Sequence, residues 1–353
     1  MFLALKEIMH SKFRYFLVIG LLFLISYLVF FLTGLAFGLA QSNRTAIDKW
    51  DADNIVLADG VDNRLAMSQI TEEEWDTVKA DEQAIIAVQA MLFENDNVDE
   101  SLSAQLFGIN KDTFLAPNII EGKMFQDKNE VVVDENFAID NELDIGDKLT
   151  FNNSDDELTI VGLTENAQLS VQPVVYVDFD DYQNLESTFG SNEQSVASAV
   201  VTRGSVSADE EVTDIEMISD FISELPGYSA QNATFILMIG FLIVIAAIVI
   251  GIFIYVLTLQ KESIFGILKA QGIANSYLIV SVVGQTFVLA IIGVLLAMGL
   301  NYASSLLLPA AVPFSLNWAL IGITAGLIVL FAILGGLFSA RTITKIDPLE
   351  AIG

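Results

Sequence analysis

The stretch NATFILMIGFLIVIAAIVIGIFIYVLT, residues 232–258, contains no charged side chain and runs directly into LQKESIFGILKAQGIANSYL, residues 259–278. Its length exceeds the roughly 20 apolar residues that a helix needs to cross a bilayer. Because lipid offers no partners to backbone polar groups, such a run forms a helix. Three more uncharged apolar runs occupy residues 15–40, 279–308 and 316–340. The sequence therefore predicts an integral membrane α-helical protein with four transmembrane helices.

Charge is concentrated between the first two apolar runs, at residues 41–231. This segment holds 41 of the 45 acidic residues and 9 of the 16 basic ones. Elsewhere, basic residues cluster before residue 15, within 259–278 and after residue 340, and the positive-inside rule places these parts in the cytoplasm. We expect a multi-pass protein of the cell membrane with both termini cytoplasmic and residues 41–231 extracellular. The acidic excess argues against nucleic acid as a partner, since phosphate binding depends on Lys and Arg.

The N-terminal 40 residues combine an amphipathic segment with a membrane anchor. Residues 1–14 predict a cytoplasmic amphipathic helix lying at the inner membrane surface. The apolar run at residues 15–40 is longer than the roughly 7 to 15 residues of a signal-peptide core, so we predict an uncleaved anchor rather than a signal peptide. The apolar face of the amphipathic segment consists of Phe2, Leu5, Ile8 and Met9.

The segment 41–231 is long enough for one sizeable domain, and its pattern is mixed. Helices are predicted at residues 71–80, where Thr71 and Glu74 form a capping-box pattern, and at residues 209–225. Short β-rich runs between turn signals predict a compact sheet. We therefore predict an α+β domain inserted between transmembrane helices 1 and 2. The predicted strands cover residues 130–134 (EVVVD), 149–151, 158–161 and 174–178 (VVYVD).

Motifs for catalysis are missing from the sequence. It has no G-x-x-x-x-G-K-[ST] phosphate loop, no H-E-x-x-H, no G-x-S-x-G, no cysteine and a single histidine, His10. The run Asp51-Ala-Asp53-Asn54 resembles the start of a calcium loop, but Val56 stands where that loop needs glycine. We predict neither an enzyme nor a metal site.

Two features point to helix contacts and partners. Small-residue pairs, Gly34 with Gly38 and Gly322 with Gly326, favour close helix packing in lipid and give modest support for a homodimer. The segment 259–278 is amphipathic, which fits either a helix that docks on a soluble partner or a tight connector between two spans. In a helical projection Ile264, Ile267 and Leu268 share one face, Glu262 and Lys269 lie roughly opposite, and Lys261 lies at the edge.

The layout as a whole resembles the permease subunits of MacB/FtsX-type (type VII) ABC transporters. The resemblance rests on KESIFGILKAQGIANSYL, on the tail ARTITKIDPLEAIG at residues 340–353, and on one span, a large domain and three further spans in that order. It implies a homodimer with two copies of a separate ATPase, which binds the ATP and Mg; this chain binds no cofactor itself. It also makes 259–278 a cytoplasmic coupling helix and 341–353 a cytoplasmic tail. The implied ATPase-coupling residues are Lys261, Glu262, Ser263, Gly266, Lys269 and Gly272.

Within this family, the N-terminal region and the junction PGYSAQNATFILMIGFLIVIAAIVIG look most like heme-efflux permeases of Gram-positive bacteria. That resemblance implies heme as substrate, entering from the lipid between spans 1 and 2. The implied heme contacts are Phe30, Phe31 and Phe37 as aromatic walls, and Tyr176, Tyr228 and Met238 as candidate ligands. Lipid contact is the alternative for the phenylalanines, and interfacial anchoring for Tyr228. Two other functions stay open: a mechanotransmitter that controls a cell-wall hydrolase, and an exporter of a peptide, lipid or antibiotic.

Overall fold

The computed structural model describes residues 12–95, 98–151, 156–188, 196–208, 213–309 and 312–345. The chain divides into two compact units. The membrane unit comprises Met1–Gly38, Ala233–Leu308 and Phe314–Gly353, and the inserted domain comprises Leu39–Asn232 with Pro309–Pro313. The amphipathic helix predicted at residues 1–14 and the tail at 341–353 fall mostly outside the described residues.

Ten helices and thirteen strands follow one another in the described residues, apart from a short 3₁₀ turn at Leu65–Met67. In chain order they are α1 (Lys12–Ser42), α2 (Thr45–Asp48), β1 (Asn54–Ala58), β2 (Ile70–Thr71), α3 (Glu72–Trp75), β3 (Lys79–Asn95), β4 (Val98–Ile109), β5 (Ile119–Gly122), β6 (Glu130–Asp134), α4 (Glu135–Asp140), β7 (Lys148–Phe151), β8 (Leu158–Thr164), β9 (Gln168–Leu169), β10 (Gln172–Asp178), α5 (Phe179–Thr188), β11 (Val196–Ala197), β12 (Ala199–Ser207), β13 (Thr213–Met217), α6 (Ile218–Glu224), α7 (Tyr228–Leu259), α8 (Glu262–Ala270), α9 (Asn275–Leu307) and α10 (Trp318–Lys345).

Four of these helices, α1, α7, α9 and α10, are long and apolar enough to cross a membrane. The predicted fold class is therefore confirmed: four membrane helices, with an α+β domain between the first and second. α7 begins at Tyr228, four residues before the apolar run, and α9 begins at Asn275, because helical backbone continues through the polar residues at both ends.

Glycines allow close approach of the membrane helices at two places that were not predicted. A Cβ on Gly335 of α10 would lie 2.9 Å from Cα of Gly251 in α7, and one on Gly293 of α9 would lie 2.8 Å from Cβ of Leu22 in α1. Gly34 does pack closely, against the ring of Phe314. By contrast, a Cβ on Gly322 or Gly326 would meet none of the described atoms within 4 Å, and the role of this pair in a homodimer stays a prediction.

The inserted domain is built on an 11-stranded mixed sheet with the order β13-β1-β12-β3-β4-β10-β6-β8-β5, to which β7 and β9 add at the side. Both faces of the sheet are buried, because alternate residues of its central strands enter two different cores. In β4, Phe107 joins one core and Leu106 the other; in β10, Tyr176 joins the first and Val175 the second. All four predicted strands are present, as β6, β7, β8 and β10.

The two predicted helices of the inserted domain need correction. The capping box of Thr71 and Glu74 forms, with the Thr71 N–H donating to Glu74 Oε2 at 2.8 Å, but it caps only the single turn α3. The chain then enters β3 at Lys79, where pairing with β12 supplies the backbone partners that a longer helix would have used. Likewise, the described part of the predicted helix at 209–225 is β13 followed by the short α6, and residues 209–212 lie outside the described residues.

Candidate functional site

The connector between α7 and α9 contains one short helix, α8, with defined ends. Lys261 is its N-cap, and Glu262 in the first turn and Lys269 in the last turn both suit the helix dipole. At its C-terminus Gly272 has a φ of +86°, Gly272 N–H donates to Lys269 O at 2.9 Å, and Ile273 N–H donates to Leu268 O at 3.1 Å. This pair of bonds is a Schellman motif, so Gly272 acts here as the helix stop.

α8 has one buried face and one exposed apolar face. Phe265, 5% exposed, packs with Leu278 and Val282 of α9 and with Ala340 of α10, and Leu268 joins the same cluster. Gly266 is buried, whereas Glu262 and Ser263 are exposed. On the outer side Ile264 and Ile267 keep 49% and 47% of their surface exposed. The helical projection grouped Leu268 with these two isoleucines, but in the structure Leu268 turns inward beside Phe265.

Lys261 points into the membrane unit and not outward. Its side chain is buried, with Nζ donating to the Tyr15 hydroxyl at 2.7 Å and to Gln285 Oε1 at 3.0 Å. Nζ also lies 5.2 Å from the centroid of the Tyr15 ring. Tyr15 belongs to α1 and Gln285 to α9, and both are buried as well. We call Lys261, Tyr15 and Gln285 the polar cluster. It corrects the prediction that Lys261 lies at the edge of an exposed helix face.

A cavity of about 20 Å³, the size of a single water molecule, adjoins the polar cluster. Thr258 of α7 and Thr286 of α9 line it together with the three cluster residues. The Ser339 hydroxyl of α10 donates to the Thr258 hydroxyl at 2.6 Å. All four long helices therefore contribute polar side chains at this level. Tyr15 and Gln285 were not singled out from the sequence, although Gln285 is the only glutamine within the four apolar runs.

Four aromatic rings form a second feature of the membrane unit, which we call the aromatic column. In α1, Phe23, Tyr27 and Phe31 follow one another at four-residue spacing, with ring centroids 6.3 Å and then 5.7 Å apart. Phe314 continues the series at 5.4 Å from Phe31. The Tyr27 hydroxyl forms a 3.0 Å hydrogen bond with Ser304 of α9. Of these four residues only Phe31 was predicted from the sequence, although the four-residue spacing of Phe23, Tyr27 and Phe31 is a signal that the sequence carries.

The other predicted heme contacts lie in different surroundings. Phe31 and Phe37 are half-buried, whereas Phe30 is fully buried in the apolar cluster formed by the four membrane helices, so its ring offers no open wall. Met238 is half-buried in α7. Tyr176 lies in the core of the inserted domain, where its ring meets Phe107 edge-on at 5.6 Å and burial raises its pKa. We therefore leave Phe30 and Tyr176 out of the proposed site.

Tyr228, the first residue of α7, is half-buried and packs on the core of the inserted domain. Its hydroxyl interacts with the guanidinium of Arg44. The pKa of Arg44 is raised mainly by the hydrogen bond to Asp48 and to a smaller extent by Tyr228. Tyr228 is thus held at the junction where α7 begins, with its ring partly accessible.

Comparisons with known proteins agree with this architecture. A model of the FtsX-like permease C-terminal region matches residues 236–348, and a model of the MacB-like periplasmic core domain matches residues 17–218, more than half of the chain. A protein of Staphylococcus haemolyticus named as a hemin transport system permease protein, HrtB, is 26% identical over 99% of both chains. Its namesake in Staphylococcus epidermidis strain ATCC 12228 is 28% identical, again over 99% of both chains.

A solved structure, the extracellular domain of the noncanonic ABC-type transporter YknZ from Gram-positive bacteria, is 18% identical. It covers 44% of this chain and 83% of that chain, with a TM-score of 0.30. The family assignment comes from the two sequence models, which together match residues 17–218 and 236–348. This chain is a permease of the MacB/FtsX family of ABC transporters.

Proposed function

We propose that this permease extrudes heme from the membrane and so protects the cell from heme toxicity. The observation that carries the proposal is similarity over 99% of the chain to permeases named for hemin transport. The similarity includes the spans and the inserted domain alike, which is what a shared substrate pathway requires. In this proposal the chain is not an enzyme. It forms a homodimer, and ATP with Mg binds to two copies of an HrtA-like ATPase.

The aromatic column supports a flat apolar substrate. A porphyrin needs aromatic or aliphatic walls, and aromatic rings pair favourably at centroid distances of about 4.5 to 7 Å. The rings of Phe23, Tyr27, Phe31 and Phe314 follow one another at such distances and are not fully buried. Heme entering from the lipid would exchange one ring contact for another along α1. Phe37, Tyr228 and Met238 are proposed to complete the path.

The exposed face of α8 supports a separate ATPase. Ile264 and Ile267 lie half-exposed, beside Glu262 and Ser263, on a connector that is predicted to be cytoplasmic from the charge pattern. An apolar pair with polar flanks suits a groove on a soluble partner. Closure of the ATPase pair on ATP would push α8 and, through it, the membrane helices.

Reconstitution of the full permease with its ATPase in liposomes tests the function. We expect heme to stimulate ATP hydrolysis and to leave the membrane in an ATP-dependent way. Stimulation by a peptide, a lipid or an antibiotic instead of heme would support another cargo. Hydrolysis that no cargo changes, together with an extracellular hydrolase that copurifies, would support mechanotransmission and would refute heme export.

Substitutions in the aromatic column test the heme path separately. Phe31→Ala is expected to reduce heme stimulation several-fold while leaving the basal ATPase rate and assembly intact. The matched control is Phe338→Ala, which removes a phenylalanine that is 71% exposed on α10. Tyr228→Ala is expected to act like Phe31→Ala. Unchanged heme stimulation in both variants would remove these residues from the path.

A further inference from the structure

The buried position of Lys261 is unusual for a connector residue. An ammonium group has its lowest free energy in water, and a long lysine side chain next to a membrane normally extends outward to reach the water. Here Lys261 is 5% exposed, while Ile264 and Ile267 on the same connector stay 49% and 47% exposed. Stability alone would favour an exposed lysine and buried isoleucines. The polar cluster therefore points to a role beyond holding the connector together.

Chain connectivity shows which helices need such a contact. α8 follows α7 after two residues and precedes α9 after four, so both helices are covalently tied to it. α10 is reached through apolar packing, because Ala340 lies in the cluster with Phe265. In the described part of the chain, that apolar cluster contains no residue of α1. The contact from the connector to α1 that the structure does describe is the 2.7 Å bond between Lys261 Nζ and the Tyr15 hydroxyl.

We propose that Lys261 is a positioning residue that makes α1 follow the movement of α8. Its ammonium bonds to α1 through Tyr15 and to α9 through Gln285, so a displacement of the α8 N-terminus is passed to both helices. Tyr15, Lys261 and Gln285 are only 2%, 5% and 6% exposed, and hydrogen bonds between buried groups are stronger than they would be in solvent. Since α1 carries three rings of the aromatic column, the polar cluster connects the connector to the proposed substrate path. The inference rests on the proposed ATPase partner and not on the identity of the cargo.

The test measures α1 and α8 separately in the full complex with its ATPase. The chain has no cysteine, so single reporters can be attached at Leu24→Cys on α1, a position that is 61% exposed, and at Gln271→Cys after α8, which is also exposed. Bimane fluorescence at each site is compared without nucleotide and with ATP plus vanadate. Lys261→Met removes the charge at similar length, and Tyr15→Phe removes only the hydroxyl. Ser339→Ala is the matched control, because it breaks a nearby buried bond that does not involve the polar cluster.

We expect both substitutions in the polar cluster to reduce the ATP-dependent signal at Leu24→Cys by more than half and to leave the signal at Gln271→Cys intact. Ser339→Ala should retain both signals. The exchange variant K261Q/Q285K, which restores an amine and an amide facing each other, should recover part of the α1 signal.

An unchanged α1 signal in Lys261→Met and Tyr15→Phe would overturn the inference, as would an absent α1 signal in the unsubstituted protein. Equal loss at both reporters would overturn it too, because that pattern describes general destabilisation. If Lys261→Met and Tyr15→Phe lose the α1 signal but heme does not stimulate hydrolysis, heme export is refuted and the role of Lys261 stands.

Discussion

Replacing the two exposed isoleucines of α8 by alanine should weaken binding of the ATPase without unfolding the connector. Ile264 and Ile267 are each about half-exposed, and Phe265 between them is buried and stays in place. Alanine has the highest helix propensity, so the helix itself should persist. The double variant therefore tests the exposed face and not the fold of α8.

The size of the effect follows from the exposed fractions. Complete burial of an isoleucine contributes about 1.5 to 3 kcal/mol. Because about half of each side chain is already covered by the membrane unit, the ATPase can gain only about 1 kcal/mol from each. The pair is then worth about 2 kcal/mol, which corresponds to a dissociation constant roughly 30-fold higher.

Equilibrium binding of the purified ATPase to the permease in detergent measures this change. The matched control replaces Ile236 and Ile248 by alanine, two isoleucines of α7 that are 72% and 56% exposed within the span. We expect the control to bind the ATPase as the unsubstituted protein does. An unchanged dissociation constant for the α8 variant, or an equal loss in the control, would refute the assignment of this face to the ATPase.

Three further predictions concern stability of the full-length permease. Gly335→Ala places a methyl group 2.9 Å from α7 and should lower the free energy of unfolding by about 1 to 3 kcal/mol, whereas Gly322→Ala, in open space, should leave the thermal midpoint of the chain in detergent almost unchanged. Burial raises the pKa of Glu130, but hydrogen bonds from Lys123 and two backbone N–H groups outweigh this effect and lower the pKa to about 2. The resulting stabilisation of the folded state is complete above the ordinary pKa of 4.5 and is lost as the pH falls towards 2. Glu130→Gln should therefore melt earlier than the unsubstituted chain at pH 7 and at the same temperature at pH 2. Gly272→Ala forces a Cβ into a φ of +86° and should cost about 1 kcal/mol, seen as faster hydrogen exchange at the end of α8; unchanged exchange would show that the Schellman motif does not limit opening there.

The membrane helices could be predicted because length and absence of charge are sufficient evidence for a span. The strands at 130–134 and 174–178 could be predicted equally well, since runs of β-branched residues between turn signals rarely form anything other than a strand. The long β3 was missed because it opens with the polar residues KADEQ, and a capping box just before it favoured a helix. There the pairing partner decided the outcome, and β12 lies more than 100 residues away in the sequence.

The site was less predictable than the fold, for a similar reason. The amphipathic character of residues 259–278 indicated a helix with two faces, but the assignment of each face depends on what surrounds it. Leu268 turns inward because α9 supplies an apolar cluster beside it. Lys261 turns inward because α1 and α9 supply hydrogen-bond acceptors for its ammonium group. Neither set of contacts follows from a periodicity of 3.6 residues within the connector, because both are made by other helices.

The two alternatives for the connector, a docking helix or a tight link, are therefore not exclusive. A link needs the Schellman stop at Gly272 and the packing of Phe265, and both are present. A link alone has no use for two exposed isoleucines or for a buried lysine, each of which costs free energy in the isolated chain. A helix that receives force on one face and passes it on from the other needs both. The covalent chain already joins α8 to α7 and α9, but not to α1 or α10. A residue that is buried at a cost in free energy should therefore contact one of the two helices that are not joined to α8, and Lys261 does so by bonding to α1.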